Sequence, residues 1–496
     1  MDFIQGEDRT QAIFFPDSID DYIEENSTTR VIDAFINNLD LSELDFSRYE
    51  PKETGRPAYN PKDMLKLYVY GYMNRVRSSR RLESESKRNL EVIWLLQKLT
   101  PDHKTIANFR KDNKKALKNV FKSFVKLCIK LGLYGKELVA IDGSKFKAVN
   151  TKDRNFTRDK LTDRIKRIDE KIEEYMNELD KGDLEEDAAT KEKTAGEIKG
   201  IIEGLKERKI QYQSIEEELE QTGQTQKSLT DSESRLMLAN GKMDVCYNVQ
   251  TAVDAKYKLI VDFEVTNSAN DMNQLTPMAE KAKEMLEVEK IAAVADMGYS
   301  SASDIAEATL KGVDVHVAGS DIQICVPVAE GEQAEITSHN GGRCVYLKDR
   351  NIALCPMGKA LYPQYYKESK GEAVFSNSEA CSQCTCRCTK EERAFRYQFV
   401  MKESDFSTEY RDEGLAVKQV HIKAQKEIVA QRKCIVEHPF GTIKRNMDAG
   451  YCLLKGKAKV TAEFSLICLA YNLKRVINIL EGKKLIEYIA NSACSV

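Results

Sequence analysis

Two short apolar runs constrain this chain more than any other feature. "LVAI" at 138–141 and "IAAVA" at 291–295 each suit a strand buried on both faces. Each stops at an aspartate with a glycine close behind: Asp142 before Gly143, and Asp296 before Gly298. "YNVQTAVDA" from Tyr247 and "YKLIVDFEVTNSAND" from Tyr257 read as a hairpin turned near Asp254 to Lys256. "MNQLTPMAEKAKEML" from Met272 and "SASDIAEATLKG" read as helices, and "DVHVAG" as a further strand. Strands alternating with helices predict an α/β core, and in such cores chemistry gathers where parallel strands end. Asp142 and Asp296 both have that address. One such aspartate is ordinarily a turn former or a helix cap; two on similar strand ends make a stronger case for a paired acidic site.

A third acidic group comes from "AQRKCIVEHPFGTIKRNMDAGY". Here Glu437 lies between Arg432 and Lys433 on one side and Lys444 and Arg445 on the other, with Ile435, Val436, Phe440 and Ile443 as the apolar face of a partly buried helix. Lys444 follows Glu437 by two helical turns, which puts both on nearly one face. Pro439 either kinks this helix or marks its start. Hard carboxylate oxygens suit magnesium or manganese. Two such ions would activate a water or a 3′-hydroxyl and stabilise the leaving oxygen of a phosphodiester. Asp271, in "NSAND", reads as a helix cap. His438 reads equally as a phosphate contact or as packing on its helix, and Trp94 as core.

At 496 residues the chain is too long for one hydrophobic core, so two to four units of ~100 to 200 residues are expected. Charged residues make up 31% and hydrophobic ones 42%, and no run reaches the ~18 apolar residues of a membrane span. The N-terminal segment has no secretory pattern, so a cytoplasmic location is expected. The net charge of −3 advertises no polyanionic partner, which leaves recognition to local basic patches.

Such a patch is expected before residue 130. "PKDMLKLYVYGYMNRV" opens a helix at Pro61 with Met64, Leu65, Tyr68 and Tyr72 inward. "SSRRLESESKRNLEVIWLL" starts another at Ser78 or Ser79, and "LTPDHKTIANFRKDN" a third at Thr100 to Asp102 with Ile106 and Phe109 inward. Arg75, Arg77, Arg80, Arg81, Lys104, Asn108, Arg110 and Lys111 are then left for outer faces. This pattern suits both a helix-turn-helix-like DNA reader and a solvated basic face on a helical bundle.

From Arg158 to Glu220 an apolar heptad, carried by Leu161, Ile165, Ile168 and Ile172 and resumed at Ile198, predicts an antiparallel helical hairpin, with an oligomerising coiled coil as the alternative. Thirteen cysteines without an export signal point to reduced thiols or metal binding. In "CSQCTCRCTK", Cys381 and Cys384 form a C-x2-C knuckle that Cys355 and Cys388 would complete as a tetrahedral zinc site, with His339 as an alternative ligand. The ion would clamp a segment expected to have little core of its own.

At these residues the chain resembles the insertion-sequence transposases of the DDE superfamily. "AIDGSKFKA" resembles the first-aspartate strand, "VADMGYSS" the second, and "VEHPFGTIK" the glutamate helix. The N-terminal "GRPAYNPKDMLKLYVYGYMNRVRSSRRLESESKRNLEVIWLL" with "PDHKTIANFRKDN" resembles the InsH-type N-terminal domain, and "FSLICLAYNLKRV" the family's closing helix. The frame Tyr-x2-Arg-x3-Glu-x6-Lys common in relatives is only half kept. Glu437 and Lys444 fit it, but Ala430 stands at the tyrosine position and Lys433 at the arginine position; Arg432 is the candidate substitute.

The resemblance implies an α/β, RNase H-like mixed sheet with flanking helices, behind an all-α DNA-binding domain at 1–130. The first catalytic strand would fall at 131–150, a helical-hairpin insertion at 151–235, and the core at 236–318. A Cys-rich insertion would follow at 319–425, then the glutamate and closing helices at 426–496. It further implies Asp142, Asp296 and Glu437 as ligands of magnesium or manganese and Lys444 as a phosphate contact. The partners implied are double-stranded DNA, at element ends and target, and a second copy of the chain in the active complex. The expected activity is metal-dependent cleavage and strand transfer, with nucleoid association when DNA is bound. The alternatives are a domesticated or inactive DNA-binding relative, and a structural-metal protein whose helices meet protein partners.

Overall fold

A computed structural model describes residues 18–47, 58–182, 188–239, 241–327, 334–336, 344–384, 396–413 and 415–493. Six helices come first: α1 (Thr28–Asn37), α2 (Pro61–Met73), α3 (Ser79–Arg88), α4 (Leu90–Leu95), α5 (His103–Asp112) and α6 (Lys114–Lys130). The Asn60 side chain caps α2 with Pro61 in its first turn, and Asp102 caps α5 by accepting from the amides of Lys104 and Thr105. Helix α2 has no outer face, since every residue from Met64 to Met73 is buried. Gly71 lets the turn into α3 close on it, because a Cβ there would lie 2.4 Å from the Val76 carbonyl oxygen.

The central sheet begins with β1 (Leu138–Lys147). It continues through β4 (Arg235–Ala239), β5 (Lys242–Asp254), β6 (Ile260–Thr266), β7 (Ile291–Ala295) and β8 (Val313–Val317); a separate two-stranded ladder joins β2 (Asn155–Thr157) to β3 (Gln226–Ser228). In the central sheet the order is β4-β5-β1-β7-β8, with β6 on the same edge of β5 as β4. Strands β1, β7 and β8 run parallel, and β5 runs antiparallel to β1, β4 and β6. Between the small ladder's strands rise α7 (Arg158–Gly182) and α8 (Ala188–Thr222), whose root is closed by Phe156, Leu161, Ile215 and Leu219. Helix α9 (Leu275–Leu286) leads into β7, and α10 (Ala302–Leu310) joins β7 to β8.

After β8 the chain forms β9 (Asp321–Pro327) and then a six-stranded antiparallel sheet. Its strands are β10 (Ala334–Ile336), β11 (Val345–Leu347), β12 (Ile352–Leu354), β13 (Ala360–Lys367), β14 (Glu372–Ser376) and β15 (Arg396–Val400), with the short α11 (Ser378–Ser382) between the last two. Strand β16 (Val417–Lys423) returns to pair with β9. This segment has an apolar core of its own, where Cys344 and Cys355 pack with Tyr346, Leu361, Phe375, Tyr397 and Phe399. The expectation that this segment has little core of its own is therefore corrected. Among the described residues, no three His, Cys, Asp or Glu side chains gather to hold an ion. Cys386, Cys388 and His339 lie outside the described residues.

The last part is α12 (Lys426–Gly441), a π-helical turn at Thr442–Asn446, then α13 (Lys457–Leu480) and α14 (Gly482–Ala493). Helix α12 runs through Pro439 and widens into the π turn just beyond it. Every residue of α13 from Phe464 to Leu473 is buried, and α13 packs against α2, α6 and β6, so it joins the helical and sheet parts. Among the described residues no helix is long and apolar enough to cross a membrane.

That junction corrects the reading of two arginines as outward-facing. Arg77 donates to the Tyr451 carbonyl, 2.9 Å away, and pairs with the fully buried Glu463 at 3.4 Å. Arg110 is buried too, donating to the Tyr72 hydroxyl at 2.9 Å beneath the Tyr68 ring. Arg80, Arg81, Lys104, Asn108 and Lys111 are exposed, as is Arg75, whose Nε donates to the Asn446 carbonyl at 2.5 Å. Trp94 is only partly buried, with its indole N–H on Asp20 and Arg30 over its ring.

Candidate active site

Strand β1 pairs with β7 as Leu138 with Ala292, Val139 with Ala293 and Ala140 with Val294. Carrying that register two residues further sets Asp142 beside Asp296, on strands separated by about 4.8 Å, so both side chains leave the same face. Strand β1 does not end at its aspartate, as its apolar run suggested. It continues to Lys147 because Asp142 through Lys147 still pair with Thr251 through Cys246 of β5. Only the β7 edge stops, and the opening left there is the site.

Helix α12 covers this opening. One guanidinium nitrogen of Arg432 lies 3.1 Å from Asp142 Oδ1 and 2.9 Å from Asp296 Oδ2. The same Asp142 oxygen accepts from the Gly143 amide at 3.0 Å, and Asp296 Oδ1 accepts from Gly298 at 2.8 Å. Burial pushes the Asp142 carboxyl up to about 6; Arg432 and the Gly143 amide oppose this, while the negative charges of Asp296 and Asp271 add to it. Arg432 Nε is buried without a hydrogen-bond partner.

Glu437 does not join the pair. It is exposed and forms no ion pair among the described residues. Five residues on a regular helix turn through about 140° relative to Arg432, so with Arg432 facing the sheet Glu437 faces away. Lys444, in contrast, reaches the site because the π turn re-aims it. Its ammonium donates to Ser144 Oγ at 2.6 Å and to the Lys145 carbonyl at 3.1 Å, over the Phe146 ring. Burial is the main cause that lowers its pKa. Glu437 and Lys444 thus do not share a face. Lys433 is exposed. His438 packs on the closing helix, with Nδ1 2.9 Å from the Tyr471 hydroxyl and Nε2 3.3 Å from Arg475.

Asp271 is not a helix cap; Gln274 holds that position for α9. Its carboxylate accepts from Asn248 Nδ2 and Gln250 Nε2, both at 2.7 Å, and from Lys145 Nζ at 3.1 Å. Gln250 in turn accepts from the Tyr299 hydroxyl. The sequence held one signal for this cluster: Asn248 and Gln250 are polar residues in phase among the apolar Tyr247, Val249, Ala252 and Val253.

In the comparisons with known proteins, residues 17–112 match a transposase domain (DUF772), and residues 354–477 match a transposase DDE domain. Both matched segments are thus of transposase type, and each spans less than half of the chain. The second match carries Arg432, Glu437 and Lys444 but begins after the strands of Asp142 and Asp296. Together the two support an insertion-sequence DDE transposase. No curated protein matches the chain. Among solved structures, a piggyBac transposase synaptic complex with hairpin DNA matches at 8% identity over 95% of this chain and 80% of that one, with a TM-score of 0.29. A score that low establishes no shared fold.

Proposed function

We propose that this chain is a transposase that binds the ends of its own mobile element, hydrolyses the phosphodiester there with a divalent metal, and joins the freed 3′-hydroxyl to target DNA. One observation carries the reading: two aspartates from distant parts of the chain converge on one cationic nitrogen at the open edge of a parallel strand pair. The strand order β6-β5-β1-β7-β8, with β1, β7 and β8 parallel, supports an RNase H-like core.

The donor set fits magnesium or manganese. Asp142 and Asp296 offer hard oxygens, and Arg432 marks the place where a cation is attracted. Asp142 and Asp296 would hold the ion in the place that the Arg432 guanidinium now takes. When bound, the metal would activate the attacking oxygen and stabilise the leaving one. Glu437 would join the ligand set only with a turn of α12. Lys444 would hold a phosphate against β1. Exposed Arg75, Arg80, Arg81, Lys104, Asn108 and Lys111 would grip the element end, and Lys433 would meet the duplex nearer the cut. Because two DNA ends must be brought together, the active complex would be a homodimer.

A second reading, a DNA-binding relative without strand transfer, is favoured by the ion pairs that fill the acidic site and by the outward Glu437. A strand-cleavage assay separates the two, using a duplex with the sequences flanking this gene, magnesium, and wild-type protein against Asp142→Ala. Cleavage by wild type alone supports the transposition reading. Binding without cleavage in both supports the second.

A further inference from the structure

The carboxylate pair rests on a polar network that enters from the other side of the sheet. On β1, Asp142 and Ser144 face α12, whereas Gly143 and Lys145 face the opposite way, in register with Gln250 and Asn248 of β5. Asp271 lies on that second face. There it is the hub for Lys145, Asn248 and Gln250, and Gln250 reaches on to Tyr299.

Each contact fixes a different part of the site. Lys145 is three residues beyond Asp142 on β1, so its ion pair with Asp271 ties down the strand that carries the first aspartate. Tyr299 is fully buried and ends the short turn Met297–Tyr299 that directly follows Asp296, so its bond to Gln250 ties down the second. Asn248 Nδ2 also lies within 3.4 Å of the Ser268 and Asn270 carbonyls, which stitches the loop bearing Asp271 to β5. Gly143 makes room for this convergence, because a Cβ there would lie 2.3 Å from both Asp271 Oδ1 and Gln250 Nε2. At Gly298 a Cβ would lie 2.9 Å from Asp296 Oδ1 and 3.7 Å from Asp271 Oδ2, so the hub is close beneath the second aspartate.

We propose that Asp271 is a positioning residue: through Lys145 on one side and Gln250 with Tyr299 on the other, it sets the spacing at which Asp142 and Asp296 receive a divalent cation. This rests on the reading of that pair as the metal-holding site. Its carboxylate accepts from three side chains on the face of the sheet away from Arg432, which sets Asp271 behind the pair rather than beside the ion's place. It therefore acts through the strands and not as a ligand. Groups of this kind behind metal ligands typically change affinity by about 10- to 100-fold when removed.

The test is Mn2+ binding by the full chain without DNA, read by electron paramagnetic resonance of the free ion, with circular dichroism to verify the fold. Wild type is compared with Asp271→Asn, Tyr299→Phe and Asp142→Ala. Asp271→Asn should weaken Mn2+ binding by about ten-fold or more. Tyr299→Phe changes no charge and keeps its ring, yet should weaken binding by a few-fold. Loss in Asp271→Asn with wild-type affinity in Tyr299→Phe would mean that charge alone acts, and would overturn the positioning role. Wild-type affinity in both variants would overturn it as well, while leaving the metal site intact. No Mn2+ bound by wild type, or equal binding by Asp142→Ala, would overturn the metal-pair reading itself and this inference with it. Should Asp271→Asn not fold, Tyr299→Phe decides.

Discussion

Asp142 and Asp296 hold matching positions on adjacent parallel strands, and a single nitrogen of Arg432 lies 3.1 Å from the first and 2.9 Å from the second. The arrangement is electrostatically poised. Two half-buried carboxylates repel each other, and a cation from within the chain offsets that repulsion.

Arg432→Gln should therefore destabilise the metal-free protein, by about 2 to 4 kcal/mol, because it leaves two neighbouring carboxylates uncompensated. Mn2+ should restore more stability to the variant than it adds to wild type, since the ion no longer competes with a guanidinium. Thermal unfolding of both proteins over a Mn2+ series measures this. An equal shift in both would show that arginine and metal do not share a place.

The Asp142 carboxyl, pushed up to about 6 chiefly by burial, predicts a pH dependence of stability. A carboxyl whose folded pKa exceeds its unfolded value binds more protons folded than unfolded between roughly pH 4 and 6, so this group's contribution to stability falls as pH rises through that window. Asp142→Asn cannot titrate and should flatten the slope, by on the order of 2 to 3 kcal/mol across the window. Urea unfolding at pH 4, 5, 6 and 7 without divalent ions is the check. The same variant should show no strand cleavage.

Arg77 and Arg80, three residues apart, should behave in opposite ways. Arg77→Ala strands Glu463 without its ion-pair partner in the core and should cost about 3 to 5 kcal/mol. Arg80→Ala removes an exposed charge and should change stability by less than about 0.5 kcal/mol, while lowering the salt dependence of DNA binding by about one unit of slope. Denaturation and a salt titration of DNA affinity read the two effects separately.

Lys444→Met keeps the aliphatic stem over Phe146 but deletes the ammonium that spans Ser144 and Lys145. Stability should move by under ~1.5 kcal/mol, as for a volume-conserving swap. On the role proposed for Lys444, cleavage should fall much further than DNA affinity does, because the ammonium would be one phosphate contact among many but the one that aligns the substrate. Equal losses of affinity and cleavage would place Lys444 outside the reacting region.

Much of the sheet was legible because its signals are local. Apolar runs that stop at Asp142 and Asp296 marked the two strands that carry the acidic pair, and the stretches from Tyr247 and Tyr257 marked the hairpin of β5 and β6. What escaped depends on partners far away in sequence. The stretch from Gly143 to Lys147 looks like a loop by composition and becomes strand only because β5 pairs with it. "NSAND" before a helix carries the signature of a cap, and only the folded chain directs Asp271 back under the sheet. Arg77 and Arg80 are chemically the same letter, and burial separates them through Glu463, which lies in another helix. Glu437 and Lys444 seemed to share a face because a regular helix was assumed; the π turn after Pro439 breaks that phase.

The pairing of Arg77 with Glu463 also bears on how such a chain can be cut, shuffled or expressed in parts. Glu463 has zero exposure, and its facing cation comes from a residue before the first strand. A fragment that begins at β1 would lack the cation that faces Glu463, together with the surfaces of α2 and α6 on which α13 packs. Dividing this chain ahead of β1 would thus open an apolar seam and part a buried ion pair in one cut.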